Sequence, residues 1–234
     1  MWASKKNQAF TIVELLIVIV VIGILAAITI VAFNGVQERA RMAAAQAFAT
    51  QLRRSPEFVN ATAVWAFNEC SGSNVGDGSD ANNAGTIVGT VAWSTDTPSG
   101  TGCSVSLNGT SRVTTSAAIG TSYYVKAAWV KSTSCAGSNN FMSGDGSAFY
   151  GCTPKAGHNG SWNAITSSVS IDDGKWHHLA LIYDAGNLTM YVDGKKAAGT
   201  SGVSAPSSTV TTIGALNSSN NYTGLIDDVL IFAR

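Results

Sequence analysis

From Phe10 to Phe33 every position is apolar, Gly or Thr, with one exception, Glu14. A run of this length has no polar face and is long enough to cross a bilayer as a helix. The pattern changes at Asn34. GVQERARMAAAQAFATQLRR mixes Ala, Gln and Arg with spaced apolar residues, an amphipathic and helix-favouring composition. Pro56 is a stop signal. The pattern therefore predicts one helix over about 11–54, with its first half (about 10–33) transmembrane. After a linker at 56–61 the texture changes again. Short runs rich in Val, Ile, Thr, Tyr and Trp (AVWAF, GTIVGTVAW, CSVSLNG, SRVTT, YYVKAAWVK, HHLALIYD, LTMYVDG, TVTTIG, DDVLIFA) alternate with DGSDANNAG, DDGK, DAGN, VDGKK and NSSNN. Many short strands between turn clusters, with no further long helix and no solenoid repeat, predict an antiparallel β-sandwich over 62–234. The fold class is α+β.

The zero net charge of the 234 residues hides an asymmetry. Residues 1–54 carry Lys5, Lys6, Arg39, Arg41, Arg53 and Arg54 against Glu14 and Glu38, a net +4, so the remainder is net −4. Basic residues beside an apolar run suit an anionic membrane surface. Lys5 and Lys6 ahead of the span predict that the short leader stays cytoplasmic and the C-terminal part crosses. The acidic remainder has no basic stripe, which argues against nucleic-acid binding. All four cysteines (Cys70, Cys103, Cys135, Cys152) follow the span, with no CxxC pair and no His at zinc spacing. In an exported domain this favours disulfides. Of the three connectivities, Cys70–Cys103 with Cys135–Cys152 is favoured, because GDG in NNFMSGDGSAFYG reads as a hairpin turn that brings the second pair together.

A carboxylate inside a span costs a few kcal/mol near the centre and less at the edge. Glu14 therefore calls for a partner or for a place at the headgroup boundary, and no cation in the span offers itself. KKNQAFTIVELLIVIVVIGILAA resembles the class III leader and N-terminal helix of type IV pilins and pseudopilins, in which a short basic leader and a small residue precede F-T-x-x-E and a long apolar run. The resemblance covers about the first 40 residues. It implies a leader at 1–9, a pilin helix at 10–55, cleavage between Ala9 and Phe10 by a prepilin peptidase, and methylation of the new Phe10 amine. It also implies that Glu14, the fifth mature residue, pairs with that amine on a neighbouring subunit during assembly. Ala9 stands where the family usually has Gly, and Val31 where it often has Pro, so no kink is expected there.

DGKWHHLALIYDAGNLTMYVDGKKAAG resembles the hallmark hairpin of laminin-G-like, concanavalin-A-like jelly rolls. WAFNECSGSNVGDGSDANNAGTIVG, SVSLNGTSRVTT, YYVKAAWVK and NYTGLIDDVLIFAR follow in the order that this family's strands take. The last strand is expected to pair back with the first. Glucan hydrolases of this class use an E-x-D-x-E pair of carboxylates. Here the only Glu residues beyond the helix are Glu57 and Glu69, neither with an acid two or four residues away, and no G-x-S-x-G, H-E-x-x-H or P-loop occurs. A non-enzyme is expected. His177 and His178, as consecutive strand residues, face opposite sides and read as structural.

Two binding chemistries remain. Asp77, Asp80, Asn82 and Asn83 of the GDGSDANNAG loop, with Asp227 and Asp228, are candidate calcium ligands, since Ca²⁺ takes several oxygens. The competing reading makes them turn and Asx-cap residues. Asp172, Asp173, Asp184 and Asp193 read as turn residues. Trp65, Trp93, Trp129 and Trp176 lie in strand-like runs and belong to a core, whereas Trp162 (HNGSWNAI) and Tyr222 (SSNNYTG) sit in polar loop contexts as candidate sugar platforms. The sequence thus points to a type IV pilus subunit, a minor or tip pilin, with a lectin-like sandwich for adhesion to glycan or protein. The alternative is a structural major pilin or a pseudopilin of a secretion or DNA-uptake system. Its partners are other pilin subunits in a helical filament, the peptidase–methylase and a glycan or protein receptor. It would reside in the cytoplasmic membrane first, then in an extracellular pilus or a periplasmic pseudopilus.

Overall fold

The computed structural model describes residues 11–55, 60–132, 139–207 and 210–234. Helix α1 (Ile12–Arg54) is continuous, with no proline along it. By packing, the chain divides into two compact units, Met1–Arg41 and Met42–Arg234. In the first, the large apolar side chains from Ile12 to Val36 are all exposed. Among the described residues α1 is the one helix long and apolar enough to cross a membrane.

In the second unit the strands are β1 (Ala63–Trp65), β2 (Asn74–Val75), β3 (Gly85–Val88), β4 (Ala92–Ser94), β5 (Ser104–Asn108), β6 (Arg112–Ala118), β7 (Tyr123–Lys131), β8 (Met142–Ser143), β9 (Ser147–Tyr150), β10 (Lys155–His158), β11 (Ser161–Thr166), β12 (His177–Asp184), β13 (Asn187–Val192), β14 (Lys195–Thr200), β15 (Val210–Ile213) and β16 (Thr223–Ala233). The large sheet runs β14-β13-β12-β7-β16-β5-β4, with β1 also paired to β16. The second runs β2-β3-β6-β15-β8, and β11-β10-β9 form a third. Every strand pair is antiparallel, and the last long strand does pair with the first, Trp65 opposite Val229. Two hairpins follow directly from turn chemistry. Ala185 and Gly186 join β12 to β13, and Asp193 and Gly194 join β13 to β14, all four with positive φ. The GDG turn also forms: Gly144 and Ser147 exchange both backbone hydrogen bonds, at 3.0 and 3.1 Å.

β7 explains why YYVKAAWVK does not alternate in polarity. It is buried on both faces. Tyr124, Ala128 and Val130 join Trp65, Leu107, Phe141, Phe149, Leu181 and Ile231 in the main core between the sheets. On the opposite face Tyr123, Val125 and Ala127 pack with Leu52 and Phe48 of α1, and Trp129 packs with Ala45. The last turns of α1 are thus a layer of the sandwich unit, and that unit begins at Met42 rather than after the linker. The approach is close. Gly194 has φ 76°, and a Cβ there would lie 3.0 Å from Phe48 Cβ and 3.2 Å from the Ala44 carbonyl.

One core residue is charged in type. Lys126, on the inner face of β7, is fully buried. Its Nζ donates to Met142 O (3.2 Å), Ser147 O (3.3 Å) and Ser147 Oγ (3.1 Å), three acceptors for the three protons of an ammonium. The chain continues through Ser147 Oγ to Tyr124 Oη (3.1 Å), to His158 Nε2 (2.7 Å), and from His158 Nδ1 to the Ser204 carbonyl (2.7 Å). Among the described residues no carboxylate belongs to it, and burial pulls Lys126 down to about 7 and pushes Tyr124 up. The folded value lies below the unfolded one, near 10.5. Between them the unfolded chain therefore holds the extra proton, and stability rises with pH.

Cys70 and Cys103 form a disulfide with Cα atoms 5.4 Å apart, tying the segment after β1 to the start of β5 across 33 residues. Cys152 is also disulfide-bonded. Its expected partner, Cys135, lies outside the described residues. Two measurements check this core. Denaturant unfolding of Cys70→Ser/Cys103→Ser should show a loss of about 3–4 kcal/mol, the loop-closure value for this separation. Between pH 7 and 9.5 the wild-type unfolding free energy should rise by roughly 3 kcal/mol, and Lys126→Met should abolish that rise.

Candidate functional site

The start of α1 resolves the lone acid of the span. Thr11 N–H and Thr11 Oγ1–H both donate to Glu14 Oε2 at 2.8 Å, and Glu14 N–H donates to Thr11 Oγ1 at 3.2 Å. This is a reciprocal capping box, T-x-x-E, which satisfies amides that a helix start leaves unpaired. The partner of Glu14 within the described chain is thus a hydroxyl and an amide rather than a cation. The signal was present in F-T-x-x-E itself. Ala9 and Phe10 lie outside the described residues.

Of the candidate calcium ligands, Asp77, Asn83 and Asp228 are engaged by other groups of the protein. Asp77 Oδ1 accepts from Val64 N (2.7 Å) and Ser79 N (2.8 Å), and Oδ2 accepts from Ser79 Oγ (2.7 Å) and Asn83 N (2.7 Å). These bonds outweigh the cost of partial burial and hold its carboxyl below the usual range. Asn83 is spent likewise: its Nδ2 donates to Thr62 O, its Oδ1 accepts from Ser116 Oγ, and its carbonyl accepts from Trp65 Nε1. Asp80 is exposed, and Asn82 takes a left-handed turn at φ 55°. The loop is thus pinned along β1 by Asx chemistry. Asp228 sits at φ 53° in a bulge of β16 and pairs with Arg53 of α1 at 2.8 Å. Asp227 beside it is 5% exposed, and its carboxyl is raised to about 7 by burial and then by the Asp228 charge. Among the described residues no three His, Cys, Asp or Glu side chains gather as a metal site.

The two aromatic platform candidates part ways. Tyr222 is fully buried, edge-on to Phe141 with ring centroids 5.6 Å apart. Its exposure was misread because the polar SSNN turn ends one residue before it. Backbone bonds from Tyr222 N to Gly214 O and from Gly109 N to Tyr222 O then turn the side chain into the core. Trp162 is partly exposed, on strand β11 rather than in a loop. β11 is an edge strand with one buried residue, Ile165, so it carries too little apolar pattern to be read as a strand.

His177 and His178 do face opposite ways. His177 lies between two carboxylates, with Nδ1 2.8 Å from Asp193 Oδ2 and Nε2 3.0 Å from Asp173 Oδ1. Asp193 Oδ1 also accepts the His178 amide at 2.9 Å, so the turn residue of β13–β14 clamps the start of β12. His178 packs against Phe48 and Trp129, and burial lowers it to about 4, leaving it neutral. Sequence reasoning missed the Lys126–Ser147–Tyr124–His158 chain altogether, because four residues spread over β7, β9 and β10 leave no local motif. It is sealed in the core and offers a substrate no access.

Comparison with known proteins agrees with this arrangement. Residues 4–30 match the prokaryotic N-terminal methylation motif, and residues 99–234 match a laminin G model described as the concanavalin A-like lectin/glucanases superfamily. A sequence comparison with curated proteins gave no match. Among solved structures the fold resembles domain 4 of AbnA, a GH43 extracellular arabinanase from Geobacillus stearothermophilus, in complex with arabinotriose. The identity is 21% and the TM-score 0.56, over 74% of this chain and 92% of that one. It also resembles the binding domain of Paraclostridial Mosquitocidal Protein 1 (12% identity, TM-score 0.56, 75% and 49% covered). A third likeness is a Trypanosoma rangeli sialidase mutant displaying trans-sialidase activity (13%, 0.53, 76% and 31% covered). This chain thus spans about half and about a third of the latter two. With more than half of its length matched by the family model, and a pilin-type methylation motif at its N-terminus, the chain belongs to the concanavalin A-like lectin/glucanase superfamily.

Proposed function

We propose that this protein is a type IV pilus subunit, a minor or tip pilin, that displays its sandwich for adhesion to a glycan or protein receptor. The observation that carries the reading is the union, in one chain, of a methylation-type N-terminus, a helix whose apolar first part (Ile12 to Val36) is exposed, and a lectin-superfamily sandwich. An apolar surface of that extent needs a bilayer or other copies of itself. Cleavage between Ala9 and Phe10 frees an amine one residue before Thr11 and four residues before Glu14 in the sequence. Glu14 then has two employments: capping its own helix through Thr11, and meeting the Phe10 amine of a neighbouring subunit in the filament. In low dielectric the paired state is strongly preferred to a lone charge.

The role is binding rather than hydrolysis. Beyond α1 the described Glu is Glu69, whose Oε1 accepts the Gly76 amide at 2.8 Å. Trp162 is the candidate platform, a half-buried indole on an edge strand.

Glu14→Ala should leave leader removal intact and lower incorporation into sheared filaments at least tenfold. Normal incorporation would refute the pairing. A glycan array probed with the full-length chain in detergent tests adhesion. Binding is expected, and unchanged by EDTA, because Asp77, Asn83 and Asp228 are already engaged by protein groups. An array without signal would favour the structural pilin or pseudopilin reading.

A further inference from the structure

The last turns of α1 do more than cover the sheet: they wall a cleft. Gln46, Thr50 and Arg53 on one helix face, Pro98 and Ser99 of the β4–β5 connection, Trp129 of β7 and Asp228 of the β16 bulge line an open cleft of about 380 Å³. That lies within the usual range for small-molecule sites, about 300–1,000 Å³. One rim is fixed by Gln46 Nε2, which donates to the Pro98 carbonyl at 2.9 Å. Behind it a chamber of about 10 Å³ shares Arg53, Trp129 and Asp228 and is closed by His178. It has room for about one water.

Two polar groups at this place have no partner. The indole N–H of Trp65, Trp93 and Trp176 finds Asn83 O, Gly72 O and Asp96 Oδ1 respectively, whereas that of Trp129 finds no acceptor among the described residues. His178, 3% exposed, has a buried Nδ1 with no hydrogen bond. A buried polar atom left unpaired in a native fold, as His178 Nδ1 is, asks for a ligand or water, whereas the Trp129 N–H is not fully enclosed and is open to one. Both belong to the ring pair Trp129–His178, whose centroids are 5.2 Å apart at the back of the cleft.

We infer that this cleft binds a neutral, hydroxyl-rich ligand of one or two sugar rings. The charge pattern selects the class. Arg53 and Asp228 form one wall as an ion pair, each with about a third of its side chain exposed (36% and 33%). An anion drawn to Arg53 meets Asp228, and a cation drawn to Asp228 meets Arg53. A hydroxyl donates to the carboxylate and accepts from the guanidinium, so neighbouring hydroxyls of a sugar satisfy both without separating the pair. Trp129 N–H, Gln46 and Ser99 supply further donors and acceptors around the same volume. The inference deepens the adhesive reading and rests on it. It places a ligand site where helix and sandwich of this chain meet, away from the candidate platform at Trp162.

The test is calorimetric titration of the full-length chain in detergent with glucose, galactose, mannose and arabinose, their disaccharides, and glucuronic acid. Thr50→Trp fills the cleft from an exposed helix position, Arg53→Gln breaks the polar wall without filling it, and each sample is melted alongside. The expected result is binding of a neutral sugar, weaker binding of glucuronic acid, and at least tenfold loss in both variants at unchanged melting temperature. If Thr50→Trp fails to fold, Arg53→Gln alone decides. Undiminished affinity in folded variants overturns the cleft and leaves the adhesive reading standing. Preference for glucuronic acid overturns the ligand class. No binding by the wild-type chain overturns the cleft, while the adhesive reading stands or falls on the glycan array.

Discussion

The fold depends on β7 being covered on both faces. A sandwich strand ordinarily turns one face to the core and the other to water. Here the outward residues Tyr123, Val125, Ala127 and Trp129 are as apolar as the inward ones, and the last turns of α1 lie over them through Ala45, Phe48 and Leu52. Remove that cover and a broad apolar face meets solvent. Remove the sheet and the helix beyond Met42 has only its amphipathic face to keep it ordered. The burial that makes the helix part of the domain also brings Arg53 to Asp228 and leaves the cleft beside Trp129.

This coupling sets what could be read from the sequence. The helix was legible to within a residue, because an unbroken apolar run followed by Ala- and Arg-rich sequence has few other solutions. The strands with strong β character were legible too, as was the β12–β13 hairpin. What escaped were strands whose burial comes from elsewhere. β10 (KAGH) and β11 (SWNAIT) have little apolar pattern and exist through pairing with β9 and each other. Tyr222 was misplaced because context within the chain, SSNN, says loop while the fold says core.

The acidic residues teach the same lesson in polar form. Asp and Asn in GDGSDANNAG fit a cation site or a turn equally well on paper. Only the direction of each lone pair separates them, and Asp77 gives all of its oxygens' geometry to backbone and hydroxyl donors along β1. Glu14 runs the other way. Its residue type looked out of place in a span, yet T-x-x-E is a local motif whose hydrogen bonds form within one turn. Under the proposed pilus reading, the carboxylate that caps its own helix is also the one that would meet the amine of a neighbouring subunit.

The measurement that bears most directly on this account is mass spectrometry of the N-terminal peptide of the chain recovered from sheared surface filaments. A pilin-type subunit predicts a peptide that begins at Phe10 and carries one added methyl group on its amine. A filament-associated chain that retains residues 1–9, or that begins at another residue, would contradict it.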